Sequence, residues 1–460
     1  MTQRLIVIGG DAAGMATASQ ARRRRGRDDL EIVAFERGHF TSYSACGIPY
    51  WISGVVPERD ALIARDSATF RDDFAIDVRL RTEVTGIDLE RREVVARQLD
   101  GGGEVRERFD TLVYATGAVP VRPEWATGGV DGIFGIQTLD DGAALRAWLD
   151  GEPTPRRAVV VGGGYVGVEM AEALIERGLA VTLIEQAVQP MSTVDPEMAA
   201  LAATAMRGLG IEIRTDTEVT GVQERDGRVS AVTTADGPVP ADVVVLGLGV
   251  RPNTVLAKAA GLPLGSSGGV RVDRRMRVAG MPDVWAAGDC VETLHRVSGL
   301  PVHIALGTHA NKQGRVAGIN IGGGYATFPG VIGTAVTKVC DLEVGRTGLR
   351  ERDAAAAGFE FVSVVAESTS RAGYYPGARP MTIKLIAERP TGRLLGAQIV
   401  GGSEAAKRID ALAVALWNEM TVDEMTALDL GYAPPYAPVW DPVLIAARKA
   451  VDALADSGRR

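Results

Sequence analysis

Two stretches of the chain share one pattern of apolar and polar residues. Each has an apolar run rich in valine and isoleucine, then a cluster of glycines, then apolar residues at helical spacing. The first copy runs from Arg4 to Arg25 and the second from Arg157 to Arg177. This order predicts a buried strand, a tight turn and a helix, which together begin a nucleotide-binding βαβ unit. The duplication therefore predicts two dinucleotide sites.

The second copy has the complete glycine motif. Its sequence AVVVGGGYVGVEMAEALIERG places Gly162, Gly164 and Gly167 at G-x-G-x-x-G spacing between the strand and the helix. Such glycines allow a tight turn, close approach of backbone N–H groups to a pyrophosphate, and close packing of the helix on the strand. Glu185 ends the next predicted strand, where a carboxylate accepts hydrogen bonds from a ribose 2′-hydroxyl and repels a 2′-phosphate. This copy therefore predicts NADH binding, with NADPH as the alternative.

The first copy is less regular than the second. Its sequence LIVIGGDAAGMATASQ supplies Gly9, Gly10 and Gly14, but Asp11 occupies the position of the middle glycine. Glu36 ends the following apolar run, EIVAFE, and supplies the expected ribose acceptor. The turn and the acidic residue together predict a second dinucleotide.

Three later apolar runs also end in turns. TLVYATGAVP turns at Thr116 and Gly117, and VVVLGLGVRPN turns at Gly249, and both turns fit crossovers between domains. MPDVWAAGDCVE ends a third run at Gly288 and Asp289. A carboxylate at this strand end could hold a polyhydroxyl chain such as ribitol. The alternative is that Asp289 is an ordinary helix N-cap.

The composition narrows the classes of protein and of partner. The chain has 460 residues and is 46% hydrophobic, which is ample for several cores, and its net charge of −8 argues against a nucleic-acid partner. No stretch of the chain approaches about 18 consecutive apolar residues, and no basic leader precedes the first strand, so we expect a cytoplasmic protein without a membrane partner. Three scattered cysteines predict neither a disulfide framework nor a metal site, and they leave a free thiol for chemistry.

From about residue 329 the pattern changes. The segments GTAVTKVCDLEVGRTGL, FEFVSVVAES, MTIKLIAE and RLLGAQIVGG predict strands, and ALAVALWNEM predicts a helix after them. The C-terminal part is therefore expected to be an α+β unit.

The motifs GGDAAG, ATG, GGGYVG, GVRPN and AAGDC, in this order and at these separations, resemble the FAD-dependent pyridine nucleotide-disulfide oxidoreductases over essentially the whole chain. The resemblance implies an α/β fold with two Rossmann-like dinucleotide-binding domains and a C-terminal α+β dimerisation domain. Ranges 1–118 and 252–328 would form a discontinuous FAD domain, 119–251 an inserted NAD(P)H domain, and 329–460 the dimerisation domain. It also implies a homodimer with shared active sites.

The motifs also provide candidate cofactor contacts. The expected cofactors are FAD and NADH, with coenzyme A as a candidate further ligand. The candidate contacts are Gly9, Gly10, Ala12, Ala13, Gly14, Glu36, Arg37, Ala115, Thr116, Gly117, Gly162, Gly164, Gly167, Glu185, Gly249, Gly288 and Asp289.

Cys46 is the candidate redox thiol. The surrounding sequence HFTSYSACGIPYWISG predicts a loop that leads into a short helix, with Pro49 in the first turn. A sulfur at a helix N-terminus is stabilised as a thiolate, so we expect a lowered pKa and a nucleophile near neutral pH. Cys290 and Cys340 are expected to be inert packing residues.

No second cysteine stands five residues from Cys46, so an intramolecular dithiol is impossible. The segment SYSACGIPY resembles the single-cysteine branch of the family, which contains coenzyme A-disulfide reductases, NADH oxidases and peroxidases, and persulfide or polysulfide reductases. The resemblance implies that electrons pass from NADH through FAD to Cys46. Cys46 would then reduce a small-molecule disulfide, with coenzyme A disulfide or a coenzyme A persulfide as the favoured substrate.

Three other functions stay open. An NADH oxidase would use the same two cofactors and the same cysteine. The oxidase and peroxidase members, however, carry a histidine where this chain has Ala12. A polysulfide reductase would release sulfide, and an electron-transfer flavoprotein serving a ferredoxin-like partner would not need Cys46. The histidines are expected to be surface or packing residues; they are His39, His295, His303 and His309.

Tyrosines in two proline-rich loops are the remaining candidate acids. RAGYYPGARP contains Tyr374 and Tyr375, and DLGYAPPYAPVWDP contains Tyr432 and Tyr436. Their similarity to tyrosine motifs of coenzyme A-disulfide reductases implies that Tyr432 and one of the adjacent pair reach the active cysteine of the other subunit. The alternative is that they anchor the loops against the interface, together with Trp440.

A coenzyme A site is predicted at the end of the first helix. Gln20, Arg23 and Ser42 match positions that contact coenzyme A in the disulfide reductases, and guanidinium groups suit phosphates. Ala45 replaces an asparagine found in some members, which removes one polar contact. A solvated helix end is the alternative explanation for the arginines.

Overall fold

The computed structural model describes residues 2–457, and two parallel sheets and one antiparallel sheet, each of five strands, organise the chain. Positions 1 and 458–460, which belong to the first and last predicted domain ranges, lie outside the described residues. The expected α/β class with a C-terminal α+β unit is confirmed.

The first part of the chain builds most of one parallel sheet. Its elements are β1 (Gln3–Ile8), α1 (Ala12–Arg22), β2 (Leu30–Phe35), α2 (Ile48–Ser53), α3 (Ser67–Phe74), β3 (Ile76–Arg79), β4 (Thr82–Asp88), β5 (Glu93–Gln98), β6 (Glu104–Arg108) and β7 (Thr111–Tyr114). β1 pairs in parallel with β2 and β7, and β4 to β6 form a small antiparallel sheet. Leu5 to Ile8 are all buried, as expected for a parallel strand covered on both faces.

The middle part builds the second parallel sheet. Its elements are β8 (Ala118–Pro120), β9 (Ile133–Gly135), α4 (Leu139–Leu149), β10 (Arg157–Val161), α5 (Tyr165–Glu176), β11 (Ala180–Ile184), α6 (Pro196–Gly208), β12 (Glu212–Arg214), β13 (Val219–Arg225), β14 (Arg228–Thr234), β15 (Gly237–Pro240), β16 (Val243–Leu246) and β17 (Val250–Pro252). The order in the sheet is β12-β11-β10-β16-β9. β8 pairs antiparallel with β17, so the chain enters and leaves this part through neighbouring strands.

The next part returns to the first sheet. Its elements are α7 (Val255–Ala259), β18 (Val270–Arg271), β19 (Val284–Ala286), β20 (Val291–Leu294), β21 (Pro301–Val302) and α8 (Gly307–Ile321). β19 pairs in parallel with β7, and α8 packs on α1 at Gly314 and Gly318, where a Cβ atom would collide with the α1 backbone. The first sheet therefore uses two separate stretches of chain, while the predicted residue boundaries of the domains stay predictions.

The C-terminal part is the antiparallel unit. Its elements are β22 (Ala335–Val339), β23 (Leu342–Gly348), α9 (Glu351–Ala356), β24 (Phe361–Thr369), β25 (Pro380–Glu388), β26 (Leu394–Gly401), α10 (Ala405–Trp417), α11 (Val422–Thr426) and α12 (Pro442–Ser457). The helix predicted over ALAVALWNEM is α10, which begins earlier, at Ala405; the terminal α12 was not predicted. Within residues 2–457, no helix combines the length and apolar character needed to cross a bilayer.

Candidate functional site

A cleft of about 2080 Å³ runs between the two parallel sheets and reaches β22. Residues from both glycine turns, from the loop that contains Cys46, and from Thr334 to Lys338 line this cleft. Pockets for one drug-sized ligand usually occupy roughly 300–1,000 Å³. The cleft is therefore large enough for more than one such ligand.

The first glycine turn joins β1 to α1 and forms one side of the cleft. Gly9 has a φ of +108°, and a Cβ atom there would collide with the Ala115 carbonyl group. A Cβ atom on Gly14 would collide with the Gly9 carbonyl oxygen, so this glycine allows α1 to pack on β1. The turn therefore has the close packing that a dinucleotide motif requires.

Carboxylates flank this turn. Glu36 accepts hydrogen bonds from the backbone N–H groups of Gly10 at 2.8 Å and Gly38 at 2.7 Å. Asp289 also lines the cleft, and its burial raises the pKa of its carboxyl group. The residues that follow Asp289 enter β20 and not a helix, so the alternative assignment of Asp289 as a helix N-cap is wrong.

The second turn repeats this geometry. Gly162 has a φ of +99°, and Cβ atoms at Gly162 and Gly167 would collide with neighbouring backbone. Glu185 accepts hydrogen bonds from the N–H groups of Gly163 at 2.7 Å and Ala187 at 2.8 Å. The two turns thus have the same close packing, and in each turn a backbone N–H group donates to a glutamate. Both turns fit the pyrophosphate and ribose of a dinucleotide.

The cysteine loop, residues 41–46, is attached to the first turn. The Ser42 N–H donates to the Gly10 carbonyl oxygen at 3.2 Å, and the Thr41 hydroxyl donates to the same oxygen. The Tyr43 N–H donates to Asp11 Oδ1 at 3.2 Å. These bonds fix the loop beside the turn, and Cys46 at its end is open to the cleft.

The electrostatic environment of Cys46 differs from the prediction. α2 begins just after the cysteine, as predicted, with Pro49 in its first turn. Burial raises the pKa of the Cys46 thiol, and the charges of Glu169 and Asp289 raise it further. The expected lowering of the pKa by the helix N-terminus is therefore wrong for the protein groups alone, because burial, followed by the nearby carboxylates, outweighs a helix of six residues.

Sequence reasoning missed the polar groups that face Cys46 from α5 and β22. Glu169 accepts a hydrogen bond from the Thr337 hydroxyl at 2.6 Å, and burial raises the pKa of its carboxyl group. One turn further along α5, Glu172 forms an ion pair with Lys338. The sequence does carry a signal for these groups, which is the pair of glutamates three residues apart in the otherwise apolar segment VGVEMAEAL.

The other two cysteines and the histidines lie outside the wall of the cleft. Cys290 is fully buried, and burial raises its thiol pKa to about 12. Cys340 is half-buried in the turn after β22, with a pKa raised to about 11, mainly by burial. His39 pairs with Asp140 at 2.9 Å, and among the described residues that line the cleft there is no histidine.

The tyrosines lie apart from the cleft of their own chain. Tyr374 is 77% exposed and Tyr432 is 48% exposed, and a hydrogen bond between them raises the pKa of Tyr374. The two tyrosine loops are also joined by the Ala372 N–H, which donates to the Pro434 carbonyl oxygen at 3.2 Å. The structure therefore brings the two predicted loops together as one exposed surface.

Most predicted cofactor contacts meet in the cleft. Those that line it are Gly9, Ala12, Ala13, Glu36, Arg37, Ala115, Thr116, Gly117, Gly162, Gly164, Glu185, Gly249 and Asp289. The lining does not include the turn residues Gly10, Gly14, Gly167 and Gly288, the predicted coenzyme A contacts Gln20, Arg23 and Ser42, or the tyrosines Tyr374, Tyr375 and Tyr432.

Comparisons with known proteins agree with this architecture. Residues 3–314 match the family model described as pyridine nucleotide-disulphide oxidoreductase. Residues 334–442 match the dimerisation domain of the same family.

Individual relatives cover nearly the whole chain. The NAD(P)H coenzyme A polysulfide/persulfide reductase of Pyrococcus horikoshii is 36% identical over 97% of this chain and 98% of that protein. An NADH oxidase of Methanocaldococcus jannaschii is 35% identical over 98% of this chain and 100% of that protein. The solved structure of a NAD-dependent persulfide reductase from A. fulgidus has 40% sequence identity and a TM-score of 0.94, covering 99% of this chain and 84% of that one.

Proposed function

Because the chain belongs to the pyridine nucleotide-disulphide oxidoreductase family, whose members use FAD and NAD(P)H, we propose that it reduces a small-molecule disulfide at Cys46. The favoured substrates are coenzyme A disulfide and a coenzyme A persulfide. The observation that carries the proposal is the position of Cys46, which opens onto a cleft shared by both glycine turns.

The cofactors are assigned to the two turns by their carboxylates. FAD belongs at the first turn, with Glu36 as ribose acceptor and Asp289 near the flavin end, and NADH belongs at the second turn with Glu185. In this proposal, residues 1–118 with 252–328 form the FAD domain, 119–251 the NAD(P)H domain, and 329–460 the dimerisation domain. When bound, the two cofactors supply the electron pair that the reaction needs.

The chemistry of the chain itself is thiol–disulfide exchange. The Cys46 thiolate attacks one sulfur of the substrate, forms a mixed disulfide and displaces the other sulfur as a thiolate, which takes up a proton. Two electrons and a further proton then release the second thiol and restore Cys46. Because burial and the nearby carboxylates raise the pKa of Cys46, a positively polarised group near the sulfur is needed to favour the thiolate.

The proton donor is assigned to the second subunit. The tyrosine surface of Tyr374, Tyr375 and Tyr432 is exposed in the part of the chain that matches a dimerisation domain. In a homodimer this surface would meet the cleft of the other subunit, where a phenol protonates the departing thiolate. Exposure of these three side chains in a single chain supports this assignment.

Coenzyme A is assigned to Gln20, Arg23 and Ser42. Arg23 is exposed at the end of α1, and the Ser42 backbone belongs to the cysteine loop. These positions are suited to a phosphate-bearing ligand whose thiol end extends toward Cys46. The name of the P. horikoshii relative, which includes coenzyme A, supports the same ligand class.

Acceptor competition tests the proposed function. Under anaerobic conditions, NADH oxidation by the FAD-loaded protein should depend on added coenzyme A disulfide or persulfide and should yield coenzyme A thiol. Polysulfide without coenzyme A and oxygen alone should support only slow turnover. Oxygen consumption as fast as disulfide reduction would instead identify an oxidase, the name of the M. jannaschii relative.

One observation argues against the oxidase. Ala12 lines the cleft at the position where the oxidase and peroxidase members of the family carry a histidine. An electron-transfer flavoprotein is distinguished more simply, because alkylation of Cys46 would leave its activity intact. Loss of activity on alkylation supports the disulfide reductase.

Replacing Glu185 tests the nucleotide assignment. Glu185→Gln removes the charge that opposes a 2′-phosphate, so we expect the ratio of kcat/KM for NADPH to that for NADH to rise by about 10- to 100-fold. Steady-state kinetics with both nucleotides measure this ratio. The matched variant Glu36→Gln should weaken FAD retention and leave the ratio unchanged; an equal change in both variants would contradict the assignment.

A further inference from the structure

Asp11 stands at the middle position of the first glycine turn, where the second turn has Gly164. In dinucleotide motifs this position is a glycine because the backbone there comes closest to the pyrophosphate. The equivalent place in the second turn has room for a side chain, because a Cβ atom on Gly164 would meet only the Gly247 carbonyl oxygen, at 3.8 Å. Asp11 has extended backbone, with φ at −113°, so its presence causes no strain.

The surroundings of Asp11 are acidic. Its Oδ1 accepts the Tyr43 N–H at 3.2 Å, and the charges of Glu36 from the end of β2 and of Asp289 after β19 act on its carboxyl group. The titratable groups of the cysteine loop that face it are the Tyr43 phenol and the Cys46 thiol.

We propose that Asp11 contacts the FAD pyrophosphate as a neutral carboxylic acid, so that binding of FAD takes up a proton at this side chain. This inference rests on the assignment of FAD to the first turn and not on any chemistry of Cys46. The pyrophosphate carries two negative charges, and an ionised Asp11 beside it would add a third in a poorly solvated place. A neutral carboxylic acid removes that repulsion and has one O–H to donate to an anionic oxygen.

Burial supports the same conclusion from the protein side. Burial raises the pKa of Asp11 to about 7. Backbone hydrogen bonds from Tyr43 and Ala12 oppose this shift, and the charges of Glu36 and Asp289 add to it. The neutral carboxylic acid is thus accessible near pH 7 without help from the cofactor. A dianion at the turn raises this pKa further.

The pH dependence follows from linkage. Below about pH 7, Asp11 is protonated with or without FAD, so the Kd for FAD is constant. Above about pH 7, each bound FAD must bring one proton onto Asp11, so the Kd rises with pH by up to about tenfold per pH unit. FAD should therefore bind less tightly at mildly alkaline pH than near neutral pH.

Equilibrium dialysis of the holoenzyme between about pH 6 and about pH 9, with retained flavin measured by absorbance, tests the proposal. The matched variant is Asp11→Asn, whose amide oxygen still accepts the Tyr43 N–H but which cannot ionise. We expect the wild-type Kd to rise above about pH 7 and the Asp11→Asn Kd to change by less than about twofold over the range. Asp11→Gly, which restores the residue of the second turn, provides a second pH-independent variant if Asp11→Asn does not fold.

Two results would overturn the proposal. One is a pH dependence that Asp11→Asn and Asp11→Gly both retain but that Asp289→Asn abolishes, because the proton would then belong to Asp289. The other is a wild-type Kd that does not change with pH. Flavin retention is measured without turnover, so failure of the proposed disulfide chemistry would leave this result unaffected.

Discussion

Cys46→Ser should lower disulfide-dependent NADH oxidation by about 10³-fold or more, while FAD binding and flavin reduction by NADH stay intact. A serine hydroxyl is almost entirely protonated near neutral pH and forms no disulfide, so the exchange step is lost. The glycine turns and their carboxylates are unchanged in this variant. Anaerobic rapid mixing with NADH measures flavin reduction, and turnover with coenzyme A disulfide measures the complete reaction.

Cys340→Ser is the matched control for this experiment. Cys340 is also a free thiol, but it lies in the turn between β22 and β23, outside the lining of the cleft. Its replacement should leave both rates within about twofold of the wild type. Substantial disulfide turnover in Cys46→Ser, or equal losses in the two variants, would refute the role of Cys46.

The glycine turns could be predicted because their signal is local. Gly14 and Gly167 each meet the carbonyl oxygen of the glycine five residues earlier, Gly9 and Gly162, so spacing alone specifies this contact. The start of α2 after Cys46 could be predicted for the same reason, since Pro49 suits a first helical turn.

The electrostatics of Cys46 could not be predicted in this way. They depend on Glu169 from α5 and Asp289 from the end of β19, two elements far apart in sequence. The tyrosines show a second limit, because the sequence identifies Tyr374 and Tyr432 while the chain places them on its own exposed surface. Their proposed partner lies on another subunit, and no contact within one chain reports it.

A buried ionic cluster joins the second parallel sheet to the C-terminal unit. Lys384 in β25 is fully buried, and its Nζ lies 3.1 Å from Asp195 Oδ2 and 2.7 Å from Glu351 Oε1. It also forms an ion pair with Glu197 at the start of α6. Asp195 is itself buried and exchanges two hydrogen bonds with the Gln398 amide, at 2.6 and 2.7 Å. The cluster therefore fixes the segment before α6, whose residue Thr193 lines the cleft.

Lys384→Met should reduce the free energy of unfolding by about 3–5 kcal/mol. Methionine fills a similar volume, but it leaves the buried carboxylate of Asp195 without its cation, and an uncompensated buried charge is strongly destabilising. Denaturant unfolding of the FAD-loaded protein, followed by tryptophan fluorescence and by flavin release, measures the loss.

Two further variants separate burial from simple charge removal. Glu197→Gln removes a partner that is 45% exposed, so its effect should stay below about 1 kcal/mol. Lys384→Met combined with Asp195→Leu replaces the buried pair by apolar groups and should recover most of the loss, because both charges then disappear together. A cost below about 1 kcal/mol for Lys384→Met alone would mean that water or another cation reaches Asp195 in solution. An equally large loss in the double variant would mean that the Gln398 amide and the Glu351 N–H, which lose Asp195 as their acceptor, cost as much as the unpaired carboxylate did.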